Sequence, residues 1–201
     1  ICSGRGVADV DPGRSTNRTV ITFVGPPETI GEAAFRVIQK AAELIDMSEH
    51  RGEHPRMGAT DVCPFVPVAG VTMEECAQVA HAVGERVGRE LGIPGYFYES
   101  AARQPERKNL AHCRKGEYEG LEKLTEPAWR PDFGPAEWSD RVKRTGATAI
   151  GARDFLIAYN INLNTTSARR ANAIAFDIRK LGRVEREGGP GSPSVKDAEA
   201  K

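Results

Sequence analysis

Two stretches constrain the fold of this chain most, because each can bury only one side. In Pro26–Met47, Ile30, Ala34, Val37, Ile38, Ala41 and Ile45 recur at helical spacing. In Thr72–Gly92, Cys76, Val79, Ala80, Val83, Val87 and Leu91 do the same. A helix with one apolar stripe needs a second layer to cover it. Both stretches also carry capping-box spacing, Thr29 with Glu32 and Thr72 with Glu75, in which each side chain satisfies a free N–H of the first turn. Gly92 suits the C-terminal cap of the second helix.

The covering layer comes from β-type segments. "GVADVDPG" reads as a short strand broken by Pro12-Gly13, and "TVITFVG" as a buried strand after the loop between them. "DVCPFVPV" has two prolines and belongs at an edge, because proline cannot donate to a ladder. "GYFYES" is a fourth strand, and "ATAIGARDFLIAYNINL" supplies two more, broken near Ala152-Arg153. Residues 104–124 read as one or two short helices, and "TEPAWRPDFGPAEWSDRVKRTG" as a long loop. A third helix is capped by Thr165, Thr166 or Ser167 and closed by Gly182. The expected fold is α+β, with a mixed sheet of about six strands and helices mainly on one face. Residues 1–182 form one folded unit, and 183–201, rich in Gly, Pro and Ser, a linker or tail.

Composition narrows the function. The 201 residues carry 28 acids and 28 bases, which argues against a general nucleic-acid or membrane-surface role. No run of about 18 apolar residues exists to span a membrane. Cys2, Cys63, Cys76 and Cys113 lack CxxC spacing and read as reduced, packed thiols of a cytoplasmic protein. The chain starts at Ile1 on the verge of a strand, so its native start is expected further upstream.

Two loops carry candidate chemistry. The turn "GRSTNR" offers Arg14, Ser15, Thr16, Asn17 and Arg18, a set that can hold a carboxylate or phosphate, or simply bond itself. In "GEHPRMGA", His54 precedes a proline and therefore sits on extended backbone, projecting its ring. Such a histidine can act as general acid or base, though loop histidines are often only solvated. Arg56 could grip a substrate carboxylate with both prongs. His50 raises a metal alternative, but no third ligand follows at useful spacing. Cys63, with no base beside it, reads as packing. Phe133 and Trp138, in "PDFGPAEW", suit either stacking on a planar heterocycle or covering the core.

Three blocks, "DVDPGRSTNRTVITFVGPPE", "LIDM" followed by "HRGEHPRMGATDVCPFVPV", and "PDFGP" before "TGATAIGAR", resemble the formiminotransferase family. The likeness runs from about Val7 to Arg186. It implies a ferredoxin-like α/β sandwich, the first of two similar subdomains that face each other across a cleft. It implies an enzyme, a glutamate formimidoyltransferase that moves the formimino group of N-formimino-L-glutamate to tetrahydrofolate in histidine breakdown. Tetrahydrofolate is then the co-substrate, and no metal is needed. His54 falls on the family's catalytic acid–base. The folate segment falls on Gly134, Pro135, Gly146, Ala147 and Thr148, and Asp11, Asn17 and Arg56 are further site residues. The implied partners are both substrates, the second subdomain and a homo-oligomer, not nucleic acid or membrane. "ICSGRG" does not carry the family's "PNFSEG"-like string, and "AEWSDRVKRT" is a few residues longer than usual. With half the cleft missing, weak activity is expected of this chain alone. The alternative is a non-catalytic folate-binding or interaction protein that keeps only this subdomain.

Overall fold

β1 (Gly6–Gly13) and β2 (Arg18–Val24) form an antiparallel hairpin in the computed structural model, which describes residues 6–157 and 161–178. The expected break at Pro12-Gly13 does not occur. β1 runs through both residues, with Pro12 opposite Thr19, and the turn lies at residues 14–17. A strand with one open edge tolerates this, since the missing proline N–H need not belong to the ladder. Asn17 closes the turn at φ 47°, a left-handed conformation that asparagine adopts more readily than most residues. Paired residues share a face, so Asp11, opposite Val20, lies on the same face as Arg18, opposite Gly13.

α1 (Pro27–Leu44) follows, ending three residues before the expected Met47 and without its capping box. Pro26 is the N-cap and Pro27 opens the helix, where its fixed φ is already helical. Thr29 therefore falls inside the first turn, and Glu32 turns outward to Arg36 and to Arg86 of the next helix. β3 (Val62–Phe65) leads to α2 (Met73–Arg86), whose capping box is present. Thr72 Oγ1 accepts from Glu75 N at 3.2 Å, and Glu75 Oε2 accepts from Thr72 N at 2.8 Å. The helix loosens into one π turn, Val87–Leu91, and stops at Gly92 in the left-handed conformation.

β4 (Gly95–Glu99), α3 (Leu110–Cys113), α4 (Asp140–Thr145) and β5 (Thr148–Ala152) complete this part. Ser139 caps α4 inside what the sequence suggested was only a loop. The strands β3, β5 and β4 make a parallel sheet in that order, with Cys63 and Phe97 flanking Ile150. One face, through Phe65, Phe97 and Ile150, meets Ala34, Phe35 and Ile38 of α1 and Ala80 and Val83 of α2. The other, through Tyr96, Tyr98 and Ala149, meets Cys113, Tyr118, Leu121, Leu124 and Val142. Each fully buried large apolar side chain contributes about 1.5–3 kcal/mol.

The fold is α+β, with three corrections to the expectation. The described residues hold five strands in two separate sheets, not about six in one. The parallel sheet is covered on both faces, as parallel sheets generally are. The sixth strand is not formed by 153–157 or 161–164, and residues 158–160 lie outside the described ones. A second compact unit begins at Leu156 and contains α5 (Ala168–Ile178), with Ser167 Oγ accepting from Arg170 N at 3.4 Å. Cys2, Gly182 and the 183–201 tail lie outside the described residues. Among those described, no helix is long and apolar enough to cross a membrane.

Candidate active site

Backbone groups build the site before any reactive side chain does. The loop between α1 and β3 docks on the hairpin turn: Glu53 N donates to Ser15 O at 3.2 Å, and Asn17 Nδ2 to Arg51 O at 2.6 Å. His50 Nε2 donates to Asn17 O at 2.9 Å, because a carbonyl can only accept. Asn17, a candidate from the sequence, thus ties the two loops together.

His54, half-buried, projects from this docked loop. Its Nδ1 lies 2.8 Å from Pro55 O, and its Nε2 lies 2.7 Å from Nη1 of Arg18, which is 3.2 Å from Nδ1. These partners decide the tautomer. A carbonyl oxygen only accepts, so Nδ1 carries a proton and Nε2 is the nitrogen left to exchange one. The ring's free nitrogen lies under a cation, the Arg18 guanidinium.

The Pro55 carbonyl that orients the ring is itself held. Arg114 Nη2 donates to it and also to Asp61 Oδ2, the latter at 2.6 Å. Asp61 Oδ1 accepts from Met57 N at 2.9 Å. Burial lifts the Asp61 carboxyl above its usual range, against the pull of Arg114, the Met57 N–H, His54 and Arg18. Asp61 and Arg114 are site residues that sequence reasoning missed. Their partners are separated by 53 and 59 residues, so no local spacing announces them.

Arg56, a candidate from the sequence, is engaged with other parts of the protein. Its two terminal nitrogens donate to Glu119 at 3.3 and 2.8 Å, its Nε donates to His50 O at 3.1 Å, and its guanidinium lies over the Tyr118 ring. The fork is already filled, and holds the Glu119 carboxyl below its usual range. Asp11 is exposed on the Arg18 face of the hairpin, and its side chain makes no hydrogen bond or ion pair among the described residues.

The two ends of the predicted folate segment take different places. Gly146 pairs with Gly58 just beyond the histidine loop, and Ala147 N donates to Met57 O at 3.1 Å. A Cβ on Gly58 would stand 2.1 Å from Ala147 O, so only glycine allows this approach. Ala147 and Thr148 are buried, Thr148 N donates to Pro94 O, and Thr148 Oγ1 has no hydrogen-bond partner among the described residues. Gly134 and Pro135 follow Phe133, with Gly134 packed against Ile93 and Pro94. Neither candidate stacking ring is spare: Phe133 packs on Phe97 at 4.9 Å and Trp138 on Tyr118 at 5.4 Å. Cys63 packs against the helix-side core, and burial pushes its thiol up to about 12. Among the described residues, no three metal-ligating side chains converge.

Residues 2–153, which contain all of this site, match the family described as formiminotransferase domain, N-terminal subdomain. The chain belongs to the formiminotransferase family. It is 56% identical over 181 residues to the formimidoyltransferase-cyclodeaminase of Gallus gallus, covering 90% of this chain and 33% of that protein. The protein of the same name from Dictyostelium discoideum is 52% identical over 188 residues, 93% of this chain and 34% of the relative. The glutamate formimidoyltransferase of Streptococcus pyogenes serotype M1 is 49% identical over 180 residues, 89% of this chain and 59% of the relative. The formiminotransferase chain therefore spans about a third of the length of the first two and 59% of the third.

Proposed function

We propose that this protein transfers the formimino group of N-formimino-L-glutamate to tetrahydrofolate, with His54 as the acid–base. One observation carries the reading: His54 is held as the Nδ1–H tautomer, its Nε2 lone pair turned away from the carbonyl that fixes the ring. The names of relatives at 49–56% identity support the substrates.

The chemistry follows from what such a nitrogen can do. The folate amine attacks the amidine carbon, forming a C–N bond and a tetrahedral centre with three nitrogens. Nε2 takes the proton from the attacking amine and returns it to the glutamate nitrogen. The bond to glutamate then breaks, leaving glutamate and a formimino-folate. General acid–base catalysis of this kind is worth about a hundred- to ten-thousand-fold. Holding both substrates against the ring supplies more. Asp11, on the same hairpin face as Arg18, and the Gly134–Pro135 and Gly146–Thr148 backbones are the proposed surroundings of the substrates.

The proposal places residues 1–182 as a ferredoxin-like subdomain whose cleft is completed by further chain, as the greater length of the relatives supports. His54→Ala is the test. Formimino transfer should fall by at least about a hundredfold while folate binding persists. Transfer undiminished by the change would sink the assignment, and wild-type protein that binds folate without transfer would mark a binding protein instead.

A further inference from the structure

We propose that Arg18 binds a carboxylate of the glutamate donor, and that it covers the base nitrogen of His54 until that carboxylate arrives. The inference rests on the transfer reading above and adds to it a residue and an order of events.

Arg18 differs from the other arginines that build the site. Arg56 is paired with Glu119, and Arg114 with Asp61. Arg107, beneath the sheet, is paired with Asp132. Among the described residues, the Arg18 side chain hydrogen-bonds only the His54 ring and forms no ion pair, its pull on the Asp61 carboxyl being exerted at longer range. It is also exposed, at the first position of β2, beside the docked loop. A carboxylate offers a guanidinium an opposite charge and two parallel bonds, where the ring offers neither. An incoming carboxylate that reaches Arg18 therefore outcompetes the ring.

The exchange has a chemical consequence. Nδ1 is committed to Pro55 O, so Nε2 is the nitrogen left to take a proton. While Nη1 stands against the ring, 2.7 Å from Nε2 and 3.2 Å from Nδ1, a proton added to Nε2 would face a cation. When the carboxylate draws Arg18 away, that repulsion is relieved and Nε2 can take the proton beside the amidine carbon. A donor that lacks the carboxylate leaves the base covered, so Arg18 sets specificity as well as affinity.

The test uses the whole protein with 15N-labelled histidine. In wild type, the His54 nitrogens should report a proton on Nδ1 and an unprotonated Nε2. L-glutamate should shift the Nε2 resonance, and sodium chloride at equal ionic strength should not. In Arg18→Met the resonance should already be shifted and glutamate should no longer move it. In the transfer assay, Arg18→Met should raise KM for N-formimino-L-glutamate at least tenfold without changing KM for tetrahydrofolate, and Arg18→Lys should recover part of the loss. Preference for that donor over formamidine, which has no carboxylate, should shrink at least tenfold. An Nε2 resonance indifferent to glutamate, or an unchanged donor KM in Arg18→Met, overturns the proposal. The resonance arms need no transfer, so absence of transfer would defeat the enzymatic reading while they still decide the role of Arg18.

Discussion

Arg114 donates to Asp61 at 2.6 Å, and each side chain is only 16% exposed, so the pair that steadies the Pro55 carbonyl sits largely out of water. Removing one member of such a pair leaves a charge without its partner, which costs more than removing both. Arg114→Met should destabilise the protein by about 3 kcal/mol. The double variant Asp61→Asn, Arg114→Met should recover part of that. Urea unfolding of the two singles and the double measures the coupling, and strict additivity would show that the pair does not act as a unit.

The approach of Gly58 to Ala147 predicts a steric penalty at a position with no reactive group. In Gly58→Ala the new carbon meets backbone at 2.1 Å, and backbone cannot rotate aside as a side-chain tip does. A loss of about 1–3 kcal/mol is expected, together with reduced transfer because the histidine loop must shift. Thermal unfolding and turnover should fall together; unchanged values in both would contradict the packing.

Arg56 should behave as a structural tie. Its guanidinium is filled by Glu119 and His50 O, so Arg56→Met should lower stability by about 1.5–3 kcal/mol, the range for hydrogen bonds to charged groups. KM for the glutamate donor should stay within about twofold. A donor KM raised tenfold or more would return Arg56 to the substrate.

The same contact predicts a pH effect. Arg56 depresses the Glu119 carboxyl below its usual 4.5. A depressed carboxyl stabilises the fold above its unfolded value, and that contribution is lost as pH falls through the folded value. The stability gap between wild type and Glu119→Gln should thus be present at pH 6 and close as pH drops below about 4.5. Its size is under about 1 kcal/mol, because Glu119 is largely exposed and screened. Paired urea titrations across this range give the answer.

Cys63 should be inert. With its thiol pushed up to about 12 by burial, only about one part in ten thousand is thiolate at pH 8. In a Cys2→Ser background, an aromatic disulfide reagent should label the native protein slowly and the urea-unfolded protein at once.

What was legible in the sequence was local. The capping box at Thr72 and Glu75 could be read because both partners lie within one turn. The same spacing at Thr29 and Glu32 misled, because two prolines started the helix early and Glu32 was claimed by Arg86, 54 residues away. His54 could be picked out by the proline behind it, and Arg18 could be named as part of a polar turn. Their contact spans 36 residues, and no pattern along the chain encodes it. Phe133 and Trp138 looked equally suited to ligand and core, and the fold spends both on the core.

The docking of the histidine loop on the hairpin turn makes one mechanical body of two segments far apart in the chain. Glu53 is fastened to Ser15, Arg51 to Asn17, and Gly52 lies so close to Thr16 that a Cβ would fall 2.4 Å from its carbonyl oxygen. A hairpin that flexes at its base therefore carries His54 along as cargo, and the distance from the ring to Arg18 is preserved through the swing. Strain applied anywhere along β1 and β2 is felt at the imidazole as a change of place and not of partner.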